Sequence, residues 1–78
     1  MLLNAVIEKD EFGYFACVPA LQGCVSQGNS YEEALENIKE AIGLYLESLG
    51  AEELAHLANK NAVIVPIEVA LNALNCLD

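Results

Sequence analysis

The chain has 78 residues, of which 55% are hydrophobic and 19% charged, and its formal net charge at pH 7 is -9. This length allows a single domain with a thin core, and the apolar composition excludes a disordered tail. Twelve acidic residues face three lysines and no arginine, which argues against direct binding to nucleic acid or an anionic membrane. No run approaches the roughly 20 apolar residues that span a bilayer. The N-terminus also lacks the basic flank of a signal peptide, so we expect a cytoplasmic protein with a basic protein partner.

Three short strands are predicted before any helix. Residues 2–9 are rich in Leu, Val and Ile, turn residues follow from Asp10 to Gly13, and Tyr14–Val18 is aromatic and β-branched. This pattern is typical of a β-hairpin. A third brief strand is predicted at Cys24–Gln27. The glycines of this region are interpreted as turn residues: Gly13, Gly23 and Gly28.

A long helix follows, and its start is the sharpest local signal in the chain. Ser30 and Glu33 have the spacing of a capping box, in which two side chains bond to free backbone N–H groups at the helix start. We therefore predict a helix from Tyr31 to about Leu49, with Gly50 as its C-terminal capping glycine. The apolar side that should pack on the sheet contains Ala34, Ile38, Ala41, Ile42, Tyr45 and Leu49.

The opposite side of this helix is acidic and is relieved only by Lys39. A row of charges on a helix is usually a solvated face, but it can also dock a basic protein, and the sequence leaves both interpretations open. The hairpin tip adds two more acids. The candidate partner-binding residues are Asp10, Glu11, Glu32, Glu36, Glu40 and Glu47.

The C-terminal third of the chain is less regular. Residues 51–61 are polar and alanine-rich, which fits a short second helix or an ordered loop, and residues 70–77 fit a helical turn or a tail. Residues 62–69 are apolar and β-branched, so a final strand is predicted there, with Pro66 restricting it to an edge or a bulge. Because one helix covers only one face of a sheet, we expect a homodimer. The predicted dimer interface contains Ile64, Val65, Ile67 and Val69.

The sequence contains no set of residues that supports catalysis. Glu8 and Glu68 are the only acids within predicted strands, whereas a two-metal nuclease needs several converging carboxylates. His56 has no nucleophile at a suitable spacing. We therefore expect no enzymatic activity, no cofactor and no metal. The cysteines are interpreted as reduced and buried, because their spacing is not that of a zinc site: Cys17, Cys24 and Cys76.

Four short motifs follow one another within residues 4–49: Gly13–Tyr14, Val18–Gly28, Ser30–Ala34 and Asn37–Ala41. Their order and spacing resemble the HicB-type antitoxin family. The resemblance implies an α+β fold of βββαβ order, a partial ribonuclease-H-like arrangement in which one long helix packs on a small single sheet. It also implies a small basic partner, an RNA-cleaving toxin of the HicA type. Many members carry a further C-terminal DNA-binding segment, whereas here we expect residues 1–78 to form one HicB-like domain.

Three functional hypotheses follow. The first is an antitoxin that covers the active site of a HicA-type mRNA-cleaving toxin with its acidic surface. The alternative is a solitary dimeric structural or regulatory module that has no toxin partner. The third, a degenerate nuclease, would be revealed by metal-dependent cleavage. A neighbouring gene for a short basic protein would separate the first hypothesis from the second.

Overall fold

The computed structural model describes residues 1–60 and 62–71. It contains a three-stranded antiparallel sheet in the order β1-β2-β3 together with two helices, which confirms the predicted α+β class. The elements in chain order are β1 (Val6–Asp10), β2 (Gly13–Cys17), β3 (Val25–Gly28), α1 (Tyr31–Glu47) and α2 (Ala51–Ala58).

The strand register gives the sheet one covered face and one open face. Ala16 lies opposite Ile7 on β1 and Ser26 on β3, and this row faces α1, where Ala16 is fully buried. Side chains alternate between the two faces along a strand, so the adjacent row points the other way. Phe15 belongs to that row and is 42% exposed. The second face of the sheet is therefore open to solvent in the single chain.

The core lies between α1 and the covered face of the sheet. Ile38 is its largest fully buried side chain, and Ile42 and Tyr45 pack against it from the next turns of the helix. The predicted apolar side of the helix thus faces the sheet. The buried residues are Ala16, Val18, Leu21, Cys24, Ala34 and Ile38.

The start of α1 agrees with the prediction. The helix begins at Tyr31, and the hydroxyl of Ser30 accepts a hydrogen bond from the backbone N–H of Glu33 at 3.1 Å. The carboxylate of Glu33 accepts from the backbone N–H of Asn29 at 3.1 Å, one residue before the cap. Two backbone donors at the helix start are therefore satisfied by side chains.

The end of α1 differs from the prediction. The helix ends at Glu47, and Ser48 is its C-cap. Gly50 has a φ of -78°, so it is not a left-handed capping glycine and that prediction is wrong. Instead Gly50 is the N-cap of α2: its carbonyl accepts from Leu54 N–H at 3.0 Å, and its own N–H donates to Glu53 at 3.2 Å. The chain passes directly into a second helix, which was one of the two alternatives for residues 51–61.

The two edges of the sheet differ in what covers them. The side-chain amide of Asn37 on α1 donates to the backbone carbonyl of Gln27 on β3 at 2.8 Å. A Cβ placed at Gly28 would lie only 2.5 Å from the backbone nitrogen of Ala34, so β3 runs directly against α1. Within the described part of the chain, β1 pairs only with β2, and three of its five side chains are exposed. The edge of β1 is therefore open.

Residues 62–71 form neither a strand nor a helix, so the prediction of a final strand at residues 62–69 is wrong for the single chain. A strand is held in place by pairing, and this segment pairs with no other strand among the residues that the structure describes. Pro66 also lacks a backbone donor. Residues 72–78 lie outside the described residues. Cys76 and most of the helical turn or tail predicted at residues 70–77 therefore lie outside them as well.

Candidate partner-binding surface

The four glutamates predicted on the helix are all exposed and share one side of α1. They recur at intervals of four, four and seven residues, which keeps them within about 80° around the helix axis. From first to last they extend about 22 Å along the axis at the usual helical rise. We call this surface the acidic strip; it consists of Glu32, Glu36, Glu40 and Glu47.

The strip has little compensating charge. Lys39 Nζ lies 3.6 Å from Glu36 Oε1, and both side chains are more than half exposed. An exposed pair of this kind contributes only about 0.5 kcal/mol and is screened by salt. No basic residue lies in the last turn of α1. Glu47 there faces the negative end of the helix dipole, so the acid at this position does not stabilise the helix.

The tip of the β1–β2 hairpin adds both remaining candidates. Asp10 and Glu11 are exposed, and the carboxylate of Asp10 accepts a hydrogen bond from the backbone N–H of Phe12 at 2.8 Å. Phe12 itself is 86% exposed. Sequence reasoning missed this residue, although an aromatic side chain inside a polar turn was the available signal. Aromatic side chains such as Phe are enriched at protein interfaces, so Phe12 joins the two acids as a candidate contact residue.

An open groove of about 570 Å³ joins the hairpin tip to the first turns of α1. Asp10 and Phe12 form one wall, and Glu33 and Asn37 form the other. The helix wall is held by the hydrogen bonds of Glu33 to Asn29 and of Asn37 to β3. The groove therefore brings Asp10 and Phe12 of the tip to the side of α1 that carries Glu33 and Asn37, whereas Glu47 lies at the far end of α1.

The residues weighed for catalysis do not form a site in the described part of the chain. Glu8, His56 and Glu68 are exposed on β1, on α2 and in the segment after α2. Within residues 1–60 and 62–71, no three His, Cys, Asp or Glu side chains lie close enough together to hold a metal ion. Burial raises the pKa of the Cys24 thiol, which is a small apolar core residue. Cys17 is only half-buried.

The four residues predicted for a dimer interface are exposed in the single chain. They belong to the segment that follows α2, and none of them belongs to the buried core. They are Ile64, Val65, Ile67 and Val69, with exposed fractions between 53% and 78%. Their exposure leaves them available to a partner.

Comparison with known proteins identifies the family. A family model described as HicB_like antitoxin of bacterial toxin-antitoxin system matches residues 3–65, which is most of the chain. The chain belongs to the HicB-like antitoxin family. The resemblance that the sequence motifs suggest is therefore confirmed. An antitoxin role in a toxin–antitoxin system follows from membership of the HicB-like family.

Related proteins of similar length occur in several organisms. A UPF0150 protein of Helicobacter pylori (strain J99) is 74% identical over 70 residues, covering 90% of this HicB-like chain and 97% of that protein. A UPF0150 protein of Synechocystis is 43% identical over 67 residues, which cover 85% of this chain and 84% of that protein. A UPF0150 protein of Archaeoglobus fulgidus is 58% identical over 48 residues, which cover 60% of this chain and 70% of that protein. No solved structure matches. Neither helix of the described residues has the length and apolarity needed to cross a membrane.

Proposed function

We propose that this HicB-like chain neutralises a small basic toxin of the HicA type by covering the active site at which the toxin cleaves mRNA. The observation that carries the proposal is the acidic strip, four exposed glutamates along one side of α1 with one lysine beside them. An enzyme that cleaves RNA has to hold a polyanion, so its substrate-binding surface is expected to be basic. A preformed acidic surface can occupy that place in the cytoplasm, where we expect the pair to act.

The proposed contact has two parts with different roles. The strip raises the rate of encounter because its negative field attracts the basic toxin over a distance of about 10 Å at moderate salt. The hairpin tip supplies affinity, since Phe12 offers 86% of its surface for burial and Asp10 and Glu11 flank it. Binding alone accounts for this role, so the proposal requires neither catalysis nor a cofactor.

The chain is further proposed to be a homodimer whose interface contains Ile64, Val65, Ile67 and Val69. Their exposure supports this proposal, because a contiguous run of exposed branched apolar residues is unusual in a monomeric protein. The same run favours the second candidate function, a solitary dimeric regulatory module without a toxin. The chain has a net charge of -9, which repels the phosphate backbone. Under both candidate functions we therefore expect the chain alone not to bind nucleic acid.

The test is inhibition of RNA cleavage by any small basic protein that is encoded next to this chain. We expect cleavage to fall to background when the chain is added in an amount equal to the toxin. An unrelated folded protein of similar net charge serves as the control and should leave cleavage unchanged. Full cleavage in the presence of excess folded chain would contradict the antitoxin proposal and favour the solitary module.

A further inference from the structure

The segment that follows α2 is an exposed apolar arm. We call residues 62–71 the C-terminal arm; all of them are exposed and none lies in a helix or a strand. The odd-numbered positions from 63 to 69 are all Val or Ile, whereas the even-numbered ones include Pro66 and Glu68. In an extended chain, alternate residues point to opposite sides. The arm therefore has the pattern of a strand with one wholly apolar side, but it pairs with no strand among residues 1–60 and 62–71.

The same chain also presents a free strand edge. The edge of β3 is covered by α1, through the bond from Asn37 to Gln27 and the close approach of Gly28 to Ala34. The edge of β1 has no such cover among the described residues. An unpaired strand edge is a ready template for pairing with another segment. The described residues of each copy thus include one unpaired strand-like segment and one unpaired strand edge.

The arm leaves the body of the protein beside the start of β1. Its first residues, Ala62 and Ile64, line a small cleft with Leu2, Leu3 and Asn4. The radius of gyration is 16.2 Å and the longest dimension is 54 Å, whereas a compact chain of this length has a radius of gyration of about 11.5 Å. The first residues of the arm thus lie close to the segment that leads into β1, and in the part of the chain that the structure describes the arm does not pair with that strand.

We propose that two copies exchange their arms, so that residues 62–71 of each chain add as a fourth strand to the β1 edge of the other. This inference rests on the homodimer proposed above and specifies how it is built. One arm and one edge per copy allow a reciprocal exchange, and a reciprocal dimer is closed because both arms and both edges are then paired. Ten extended residues reach about 33 Å, which exceeds the length of the five-residue β1.

The composition of the arm suits a second copy of this chain better than a basic partner. Glu68 is the only charged residue among its ten, so two copies with a net charge of -9 each can meet along it with little local repulsion. Pro66 has no N–H to donate and fits a strand whose outer side stays unpaired. The apolar side formed by Val63, Val65, Ile67 and Val69 would continue one face of the partner's sheet.

The first experiment measures the molar mass of the full-length chain by light scattering at tens of micromolar. We expect a dimer of twice 8.4 kDa for the wild type and a monomer for the double variant Val65→Asp/Ile67→Asp. The control Glu68→Lys changes the other side of the same arm and should remain a dimer. A monomeric wild type would overturn the exchange. A double variant that stays dimeric would overturn it as well.

The second experiment locates the interface. In a dimer mixed from isotope-labelled and unlabelled chains, isotope-filtered NMR should show contacts between the arm of one chain and β1 of the other. Amides on the outer edge of β1 should exchange with solvent about 100-fold or more slowly in the wild type than in the double variant. Contacts between the arm and β1 of the same chain would overturn the exchange, and so would a dimer joined only through the open face of the sheet. Inhibition of the toxin is read separately, so failure here leaves the antitoxin proposal standing.

Discussion

The carboxylate of Asp10 accepts a hydrogen bond from the backbone N–H of Phe12 at 2.8 Å, and this bond fixes the turn between β1 and β2. The aromatic side chain at the tip is thereby held in solvent, 86% exposed, on a turn that is already ordered. A partner that binds the tip does not have to pay for ordering this loop. The hairpin is therefore suited to recognition.

A change at the hairpin tip should affect binding of the toxin but not the stability of the fold. Replacing Phe12 by Ala should change the free energy of unfolding by no more than about 0.5 kcal/mol, because the side chain is exposed. The same change should weaken binding of the toxin by about 30-fold, which is the usual effect of losing an anchor residue. Urea denaturation and calorimetric titration measure the two quantities. Phe12→Tyr keeps the ring and should bind as the wild type does; equal affinity for the Ala variant would remove Phe12 from the interface.

Two glycines predict opposite effects of the same substitution. A Cβ at Gly28 would lie 2.5 Å from the backbone nitrogen of Ala34, so Gly28→Ala should destabilise the fold by about 1–3 kcal/mol. Gly43 lies inside α1 with open space where its Cβ would be, so Gly43→Ala should stabilise the fold by about 1 kcal/mol. Thermal unfolding of the two variants is the measurement. A melting temperature for Gly28→Ala equal to that of the wild type would contradict the packing of β3 against α1.

Removing the side-chain cap at the start of α1 should cost less stability than crowding Gly28. Ser30→Ala removes the acceptor for the backbone N–H of Glu33 and should lower the free energy of unfolding by about 1 kcal/mol. Ser30→Asp restores an acceptor and should recover most of the loss. If the alanine variant unfolds at the same urea concentration as the wild type, the cap does not stabilise α1.

Local chemistry made part of this fold predictable from the sequence. The start of α1 at Tyr31 depends on Ser30 and Glu33, which are three residues apart, so the signal is complete within one turn. The hairpin and the sheet-facing side of α1 likewise follow from short periodic patterns. The exposed glutamates of the strip are predictable because the same helical period places them opposite the core.

Features that depend on distant parts of the chain were not predictable in this way. A glycine such as Gly50 can end one helix or begin the next, and here the choice depends on α2. Gly28 is needed because the backbone of β3 approaches the backbone of α1 too closely for a Cβ. Interpreting Gly28 as a turn residue does not predict this contact. The predicted final strand does not form in the single chain. A run of β-branched residues indicates that a segment can pair as a strand, but it does not indicate which strand it pairs with. The exposure of Phe12 similarly depends on where the hairpin tip lies relative to α1.

The most direct test of the central claim is the rate at which the chain captures the toxin. At low salt, Glu36→Lys/Glu40→Lys should associate with the toxin at least about tenfold more slowly than the wild type, and the wild-type rate should itself fall as salt is added. Glu52→Lys/Glu68→Lys makes the same change in net charge away from the strip and should slow capture far less. Both variants have to be folded by circular dichroism before the rates are compared. Capture by the strip variant as fast as by the wild type at low salt would contradict the account.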